Sequence, residues 1–343
     1  MTVLFIDSFD LDYLQSHAVR KYAIATGSGA SAAGRIFGNS VVPGGAGMIR
    51  RTPSFGVQNE LILGIGILIP SQFTSAPTGF YLLKGTLEQV SLRFVTTAGS
   101  FNMAVNRAGT QLGVTTNNFA YGIWHYFEWK ITPHISSGAF EIRHDEVSVL
   151  TGTGLNTANV GTNGADVFEH NFAAAASTVR LDDFVLLDTL GPAPTNNYLG
   201  DVTIEAQLPD ADGTPLEWSV GSGTHFSKLD DPASGAPVDS TDVIFSDTNG
   251  QRDFVGFPNL TQTQGQVFAV MLNQQCAMNA AGSRVLRHKF RTSGGTIHDG
   301  ASFTVSSTTY GGFQQIWALN PDTGLAWTNS DIDSGTYGVE VVS

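Results

Sequence analysis

The sequence predicts an all-β protein built from two jelly-roll-like β-sandwich domains. Apolar and polar residues alternate along most of the chain, helical periodicity is nearly absent, and Gly, Ser, Thr, Asn and Asp cluster between the alternating segments. Val90, Leu92 and Phe94 illustrate the alternation, since they fall on one face of a strand. The only helix candidates are Leu11–Tyr22 and, more weakly, Gln274–Ala281.

Length and a proline-containing stretch divide the chain. With 343 residues, it is long enough for two domains of ordinary size. Residues 191–200 contain two prolines among polar residues, which interrupts strand pairing and predicts a linker. We therefore expect one sandwich over residues 1–190 and a second over residues 201–343.

Composition and charge argue against several classes of protein. Charged residues make up only 14% of the chain, well below the ~25% typical of soluble domains, so neutral polar residues must cover much of the surface. The net charge of −13 and the lack of a basic run argue against nucleic-acid binding. No apolar stretch reaches the roughly 18 residues that span a membrane, and the first residues do not resemble a signal peptide. The single cysteine, Cys276, excludes a disulfide within the chain.

Four short motifs follow one another in the first 190 residues. They are Asp7–Asp10, Gly122–Lys130, Ser137–Arg143 and Leu181–Asp188. In order and spacing they resemble strands of the concanavalin A-like lectin and laminin-G family, which implies a concanavalin A-like sandwich for residues 1–190. One departure lies at the tip of the central hairpin, where His144-Asp-Glu replaces the Asp-Gly of many family members.

The junction between the domains and the C-terminal region carry a second resemblance. Residues 200–205, 208–213 and 320–328 are similar to stretches of uncharacterised bacteriophage particle proteins. This resemblance implies a structural protein of a phage particle, attached to the capsid or part of the tail or fibre, made in the host cytoplasm and located in the virion. Its partners would be other virion proteins and further copies of the chain, with host surface glycans as an additional ligand.

No stretch of the sequence combines the residues of a catalytic site. Hydrolases of the concanavalin A-like fold use Glu-x-Asp-x-x-Glu along one strand. Glu141 and Glu146 match the outer positions of that pattern, but Arg143 stands where the central carboxylate belongs. The Gly-x-Ser-x-Gly motif of nucleophilic serines is also missing. We therefore expect no enzyme, and a divergent glycoside hydrolase is the weakest alternative.

A lectin or carbohydrate-binding module that acts alone is the main alternative to the virion role. Such a protein needs a groove with exposed aromatic side chains. The residues to test for this role are Trp218, Tyr310, Trp317 and Trp327. All four lie in the second half of the chain.

Metal-ligating patterns are weak. Asp210 and Asp212, followed by Gly213, resemble the middle of a calcium loop, but two further carboxylates of such a loop are missing. A tight turn is the simpler interpretation of these residues. Calcium is the only ion that the sequence leaves open, and we expect no other cofactor.

The segment Trp124–Trp129 places three side chains on each face of a strand. We interpret it as a core strand, with an aromatic platform for a sugar ring as the alternative. His125, His134 and His144 are near enough along the chain to approach one another in the fold. The sequence alone gives no reason to group them.

Overall fold

The computed structural model describes residues 3–11, 18, 21–27, 29–44, 47–72, 79–159, 161–172, 178–230 and 242–343. These residues form many antiparallel strands and very little helix, which confirms the predicted all-β fold class. Contacts divide the chain into two compact units, residues 1–204 and 205–343. The stretch 191–200, predicted to be a linker, lies within the first unit.

The first unit contains sixteen strands among its described residues. They are β1 (Val3–Asp7), β2 (Ile24–Thr26), β3 (Gly29–Ala33), β4 (Asn39–Pro43), β5 (Met48–Arg51), β6 (Leu61–Leu68), β7 (Gly79–Lys84), β8 (Leu87–Thr96), β9 (Ser100–Arg107), β10 (Thr110–Val114), β11 (Phe119–Ala120), β12 (Trp124–Thr132), β13 (Gly138–His144), β14 (Val147–Leu155), β15 (Val167–Phe172) and β16 (Arg180–Asp188).

Two antiparallel sheets make the first unit a sandwich. One sheet has the order β14-β13-β12-β6-β16-β4-β3, and β1 pairs with β16. The other has the order β10-β9-β8-β7-β15-β5-β2, and β11 pairs with β9. Side chains from both sheets share one apolar core, in which Phe80, Trp129 and Phe168 are fully buried. Burial of large aromatic side chains is the main source of stability for such a core.

The turn between β13 and β14 has an uncommon backbone. Asp145 has a φ of 45° and Glu146 a φ of 68°, so both residues lie in the left-handed region that favours glycine. A left-handed backbone costs a non-glycine residue roughly 1–2 kcal/mol. The Asp145 N–H donates to the Tyr126 carbonyl (3.0 Å), and Asp145 Oδ1 accepts from the Tyr126 N–H (3.2 Å). These two bonds hold the turn against β12.

The second unit contains nine strands and two short helices among its described residues. The strands are β17 (Ala211–Leu216), β18 (Ser219–Val220), β19 (Ile244–Phe245), β20 (Arg252–Gly256), β21 (Val270–Cys276), β22 (Arg284–Arg291), β23 (Ile297–Val305), β24 (Gly311–Trp317) and β25 (Thr336–Val341). A 3₁₀ turn covers Phe226–Lys228, and the helix α1 covers Asn329–Asp333.

The second unit is built on a five-stranded antiparallel sheet with the order β17-β20-β25-β22-β23. The two-stranded sheet β21-β24 packs on it, since Leu272 of β21 and Trp317 of β24 contact Phe290 and Tyr337 of the larger sheet. The helix predicted at Gln274–Ala281 is wrong, because its first residues continue strand β21.

The described residues contain little of the other predicted helix and no membrane-spanning helix. The helix predicted at Leu11–Tyr22 falls mostly outside the described residues. Within the part of the chain that is described, no helix has the length and apolar character needed to cross a membrane.

Candidate functional site on the outer face of the first sandwich

Strand β12 presents different side chains to the two faces of its sheet. Phe127 and Trp129 point into the core, where both are buried. Tyr126, Glu128 and Lys130 lie on the opposite face, as the alternation predicts. Together with Glu141 and Arg143 of the neighbouring strand β13, these three form the polar sheet face.

Two glycines of β6 make room for this face. A Cβ atom at Gly64 would lie 2.5 Å from the Tyr126 hydroxyl oxygen, and one at Gly66 would lie 2.9 Å from Cδ of Arg35. Both distances are shorter than ordinary contacts. The glycines of the apolar strand Leu61–Leu68 therefore let polar side chains from other elements lie flat on the sheet.

Arg35 is the centre of a buried charge network. Its Nε donates to Asp183 Oδ2 (2.8 Å), its Nη1 lies 2.6 Å from Asp201 Oδ1, and its Nη2 donates to the Val202 carbonyl (2.6 Å). The guanidinium carbon lies 5.0 Å from the centre of the Tyr126 ring. The Arg35 side chain is only 8% exposed, so these partners replace its water shell.

Two further carboxylates flank the loop between β3 and β4. Asp182 Oδ2 accepts from the Arg35 N–H (2.6 Å), while the Asp10 carboxylate accepts from the Asn39 N–H. Burial, reinforced by the charge of Asp183, raises the pKa of Asp182 to about 8. Burial also raises the pKa of Asp10 to about 6.

Glu128 is buried under the segment that contains Leu199 and Gly200, which follows the last strand of the first sandwich. Its Oε1 accepts from the N–H groups of Leu199 (2.8 Å) and Gly200 (3.1 Å), and the residue is 3% exposed. Its Oε2 has no hydrogen-bond partner among the described residues. Burial raises the pKa of Glu128 to about 7 despite the two N–H donors. The carboxyl has the acidity of a general acid, but the segment covers it.

The accessible part of the face is a row of paired charges, here named the charged ladder: Glu60, Lys130, Glu141 and Arg143. Lys130 Nζ lies 3.1 Å from Glu60 Oε1, and Arg143 Nε donates to Glu141 Oε1 (2.9 Å). Lys130 and Glu141 are directly opposite on β12 and β13. The Arg143 guanidinium lies 3.8 Å from the centre of the Tyr198 ring, at one end of the ladder.

The four ladder side chains are each 27–34% exposed. Strand pairing and mutual ion pairs hold them in place, so the ladder is a preorganised array of hydrogen-bond donors and acceptors. The hydrolase-like pattern is not assembled here, because Glu141 lies on this face whereas Glu146 lies at the hairpin tip.

Two of the three histidines considered from the sequence come together. His125 Nδ1 lies 2.8 Å from His144 Nε2 at the end of the first sandwich. His134 lies apart from them, and its Nδ1 accepts from the N–H groups of Ser136 and Ser137.

The aromatic candidates of the second unit have different surroundings. Trp317 and Trp327 are 7% and 3% exposed, so the expectation that they line an open groove is wrong. They build the core instead, where Trp327 Nε1 donates to the Trp317 carbonyl (3.0 Å) and the Trp327 ring packs against Phe290. Trp218 and Tyr310 are half-buried and stay candidates.

The weak calcium pattern at Asp210 and Asp212 is not a turn. Asp212 lies on strand β17, and its Oδ1 accepts from the Phe226 N–H (2.8 Å). In the described part of the chain, neither aspartate belongs to a group of three metal-ligating side chains.

Comparisons with known proteins show only distant similarity. No protein-family model matches the chain, and no curated protein matches it. Among solved structures, it is similar to domain 4 of AbnA, an extracellular arabinanase from Geobacillus stearothermophilus, with 18% identity over 54% of this chain and 92% of that chain and a TM-score of 0.40. It is also similar to the endo-β-1,4-glucuronan lyase of the fungus Trichoderma reesei, with 12% identity over 49% of this chain and 91% of that chain and a TM-score of 0.35.

A third similar structure is the heptameric SAP-like pentraxin of Limulus polyphemus, with 9% identity over 41% of this chain and 69% of that chain and a TM-score of 0.33. The sheet topology and the polar face define the class to which this chain belongs. It is an antiparallel β-sandwich protein whose first unit carries an outward-facing array of paired charges.

Proposed function

We propose that the protein binds carbohydrate and that the charged ladder with Tyr198 is the binding surface. The observation that carries the proposal is the Arg143–Glu141 pair (Nε to Oε1, 2.9 Å), which is about one-third exposed beside an aromatic ring. Planar polar side chains can bond two neighbouring sugar hydroxyls. The Tyr198 ring packs against the Arg143 guanidinium and holds it in place for such bonds.

The position of the ladder fits this role. It lies on regular strands, so its donors and acceptors keep their geometry without a ligand and lose little entropy on binding. Because Glu128 is covered by Leu199 and Gly200, the carboxyl with a near-neutral pKa does not face the ladder's open side. We therefore propose binding without cleavage.

We expect Arg143→Lys to weaken glycan binding by at least about tenfold, because lysine keeps the charge but loses the planar, bidentate geometry. The full chain is first screened on a glycan array, and the best glycan is then titrated by isothermal calorimetry. Arg287→Lys is the matched control, since Arg287 pairs with Asp299 on the surface of the second unit.

Tyr198→Ala tests the aromatic half of the same surface and should also reduce affinity. Trp218→Ala tests the second unit. If glycan binding survives Arg143→Lys and Tyr198→Ala but is lost in Trp218→Ala, the binding surface lies in the second unit and the proposal for the ladder is wrong.

A second candidate function is a structural role in a bacteriophage particle. What favours it is the charged fraction of 14%, together with the resemblance of residues 200–205, 208–213 and 320–328 to phage particle proteins. In this role the ladder would contact host surface glycans or neighbouring subunits. Mass spectrometry of purified particles tests the idea, and absence of the protein from them would reject it.

A further inference from the structure

Two histidines and an aspartate meet at one end of the first sandwich. His125 lies near the start of β12, His144 ends β13, and Asp145 follows it in the turn. His125 Nδ1 lies 2.8 Å from His144 Nε2, which lies 3.1 Å from Asp145 Oδ2. One ligand atom from each residue lies within 4.8 Å of the others, a grouping not found elsewhere in the described part of the chain.

The tautomer of His125 is fixed by the backbone. Its Nε2 lies 2.9 Å from the Ala120 carbonyl oxygen. A carbonyl oxygen only accepts, so Nε2 carries the hydrogen and Nδ1 directs its lone pair toward His144. Metal-binding histidines are usually oriented in this way, by an N–H bond from the ring nitrogen that does not bind the metal.

Asp145 is held with one oxygen directed at the histidines. Its Oδ1 accepts from the Tyr126 N–H (3.2 Å), and its own N–H donates to the Tyr126 carbonyl (3.0 Å). Oδ2 remains on the side of His144. The left-handed backbone of Asp145 is thus part of what places this oxygen, and strained backbone is commonly found at functional positions.

The three side chains lie between an apolar wall and solvent. The His144 ring centroid is 4.7 Å from that of Phe119 and 5.0 Å from that of Phe127. The Asp145 side chain is 59% exposed and leaves a path for an ion to enter.

We propose that His125 Nδ1, His144 Nε2 and Asp145 Oδ2 form a binding site for a divalent transition-metal ion of the Zn²⁺ class, with water as a further ligand. Two imidazoles and one carboxylate suit Zn²⁺ and its neighbours in the first transition row, whereas Ca²⁺ and Mg²⁺ prefer oxygen ligands alone.

Zinc–nitrogen bonds of about 2.0–2.1 Å in a tetrahedron put ligand atoms roughly 3.3 Å apart. The two rings therefore move apart by about half an ångström on binding. Before the ion binds, His144 Nε2 carries the hydrogen that it donates to His125 Nδ1. On binding, this hydrogen passes through solvent to His144 Nδ1, so that His125 Nδ1 and His144 Nε2 both bind the ion.

The site is tested on the full chain after removal of metal with EDTA and dialysis. Isothermal calorimetry with ZnCl₂ should give one binding event with one equivalent of Zn²⁺, and Co²⁺ should give the visible absorption of a tetrahedral complex. His144→Gln should abolish both signals. Asp145→Asn should weaken Zn²⁺ binding by at least about tenfold, as the loss of groups around a metal commonly does. Asparagine adopts a positive φ as readily as aspartate, so this variant keeps the turn.

Two variants serve as controls. Glu146→Gln removes a neighbouring charge at the same turn and should leave binding unchanged. His298→Gln breaks a histidine–aspartate pair of the second unit, where His298 Nε2 lies 2.9 Å from Asp322 Oδ1 and no described residue supplies a third ligand. Equal Zn²⁺ binding by the wild type and His144→Gln, or an equal loss in His298→Gln, would overturn the proposal.

Discussion

Arg35→Met should reduce the free energy of unfolding of the first unit by about 3–5 kcal/mol, the range measured when one partner of a buried ion pair is removed. Methionine fills most of the volume of arginine but pairs with neither Asp183 nor Asp201. The Asp183 side chain is 3% exposed and would be left as a buried, uncompensated charge. Urea unfolding followed by hydrogen exchange of peptides from β6 and β16 measures the loss within this unit.

Two comparisons separate this explanation from a general effect of losing an arginine. Arg287→Met breaks the exposed pair with Asp299 and should cost at most about 1 kcal/mol. Asp183→Asn added to Arg35→Met should restore part of the lost stability, because it removes the unpaired charge. A cost for Arg35→Met no larger than that for Arg287→Met would contradict the network described for Arg35.

Asp182→Asn should change how stability depends on pH. The pKa of Asp182 is raised from 3.8 in the unfolded chain to about 8 by burial and by Asp183, so the folded protein binds the extra proton between these values. Stability from this group is therefore present below about pH 4 and is lost as pH rises toward 8, with a slope of up to about 1.4 kcal/mol per pH unit. Asparagine does not titrate, so the variant should lack this loss.

The measurement is the difference between the unfolding free energies of wild type and Asp182→Asn from pH 4 to pH 8, in the presence of EDTA. His170 acts in the opposite direction, since burial lowers its pKa to about 3, but it contributes equally to both proteins and cancels in the difference. Asp166→Asn is the control, because the half-buried Asp166 accepts a single N–H bond, from Gly85. A pH-independent difference for Asp182→Asn would contradict the raised pKa.

The strands were predictable because their signal is local. Alternation along Trp124–Trp129 divided its side chains between the two faces of a strand, and in the structure Phe127 and Trp129 lie on the core face while Tyr126 and Glu128 lie on the other. The glycines at 64 and 66 also carried a usable signal, since glycine inside an apolar strand indicates close approach of other atoms. The sequence did not show that those atoms belong to Arg35 and Tyr126.

The charge network around Arg35 was not predictable because its residues are far apart in the chain. Arg35 is 148 residues from Asp183 and farther still from Asp201 along the chain, and no spacing rule links them. The pairing of His125 with His144 follows from the register of β12 on β13, which a single sequence does not fix. The tryptophans of the second unit were misjudged for a related reason, since a buried and an exposed tryptophan look alike in sequence.

The segment after residue 190 has a consequence for where the first domain ends. Asp201 and the Val202 carbonyl bind Arg35, the Leu199 N–H caps Glu128, and the Ile204 N–H reaches Asp183 (2.7 Å). A chain cut at the prolines would keep the Arg35–Asp183 pair and every strand of the sandwich, but it would lose Asp201, the Val202 carbonyl and the N–H donors to Glu128 and Asp183. Charge neutralisation therefore extends the first unit past its strands: the unit ends at Ile204, whereas the last strand of its sheets ends at Asp188.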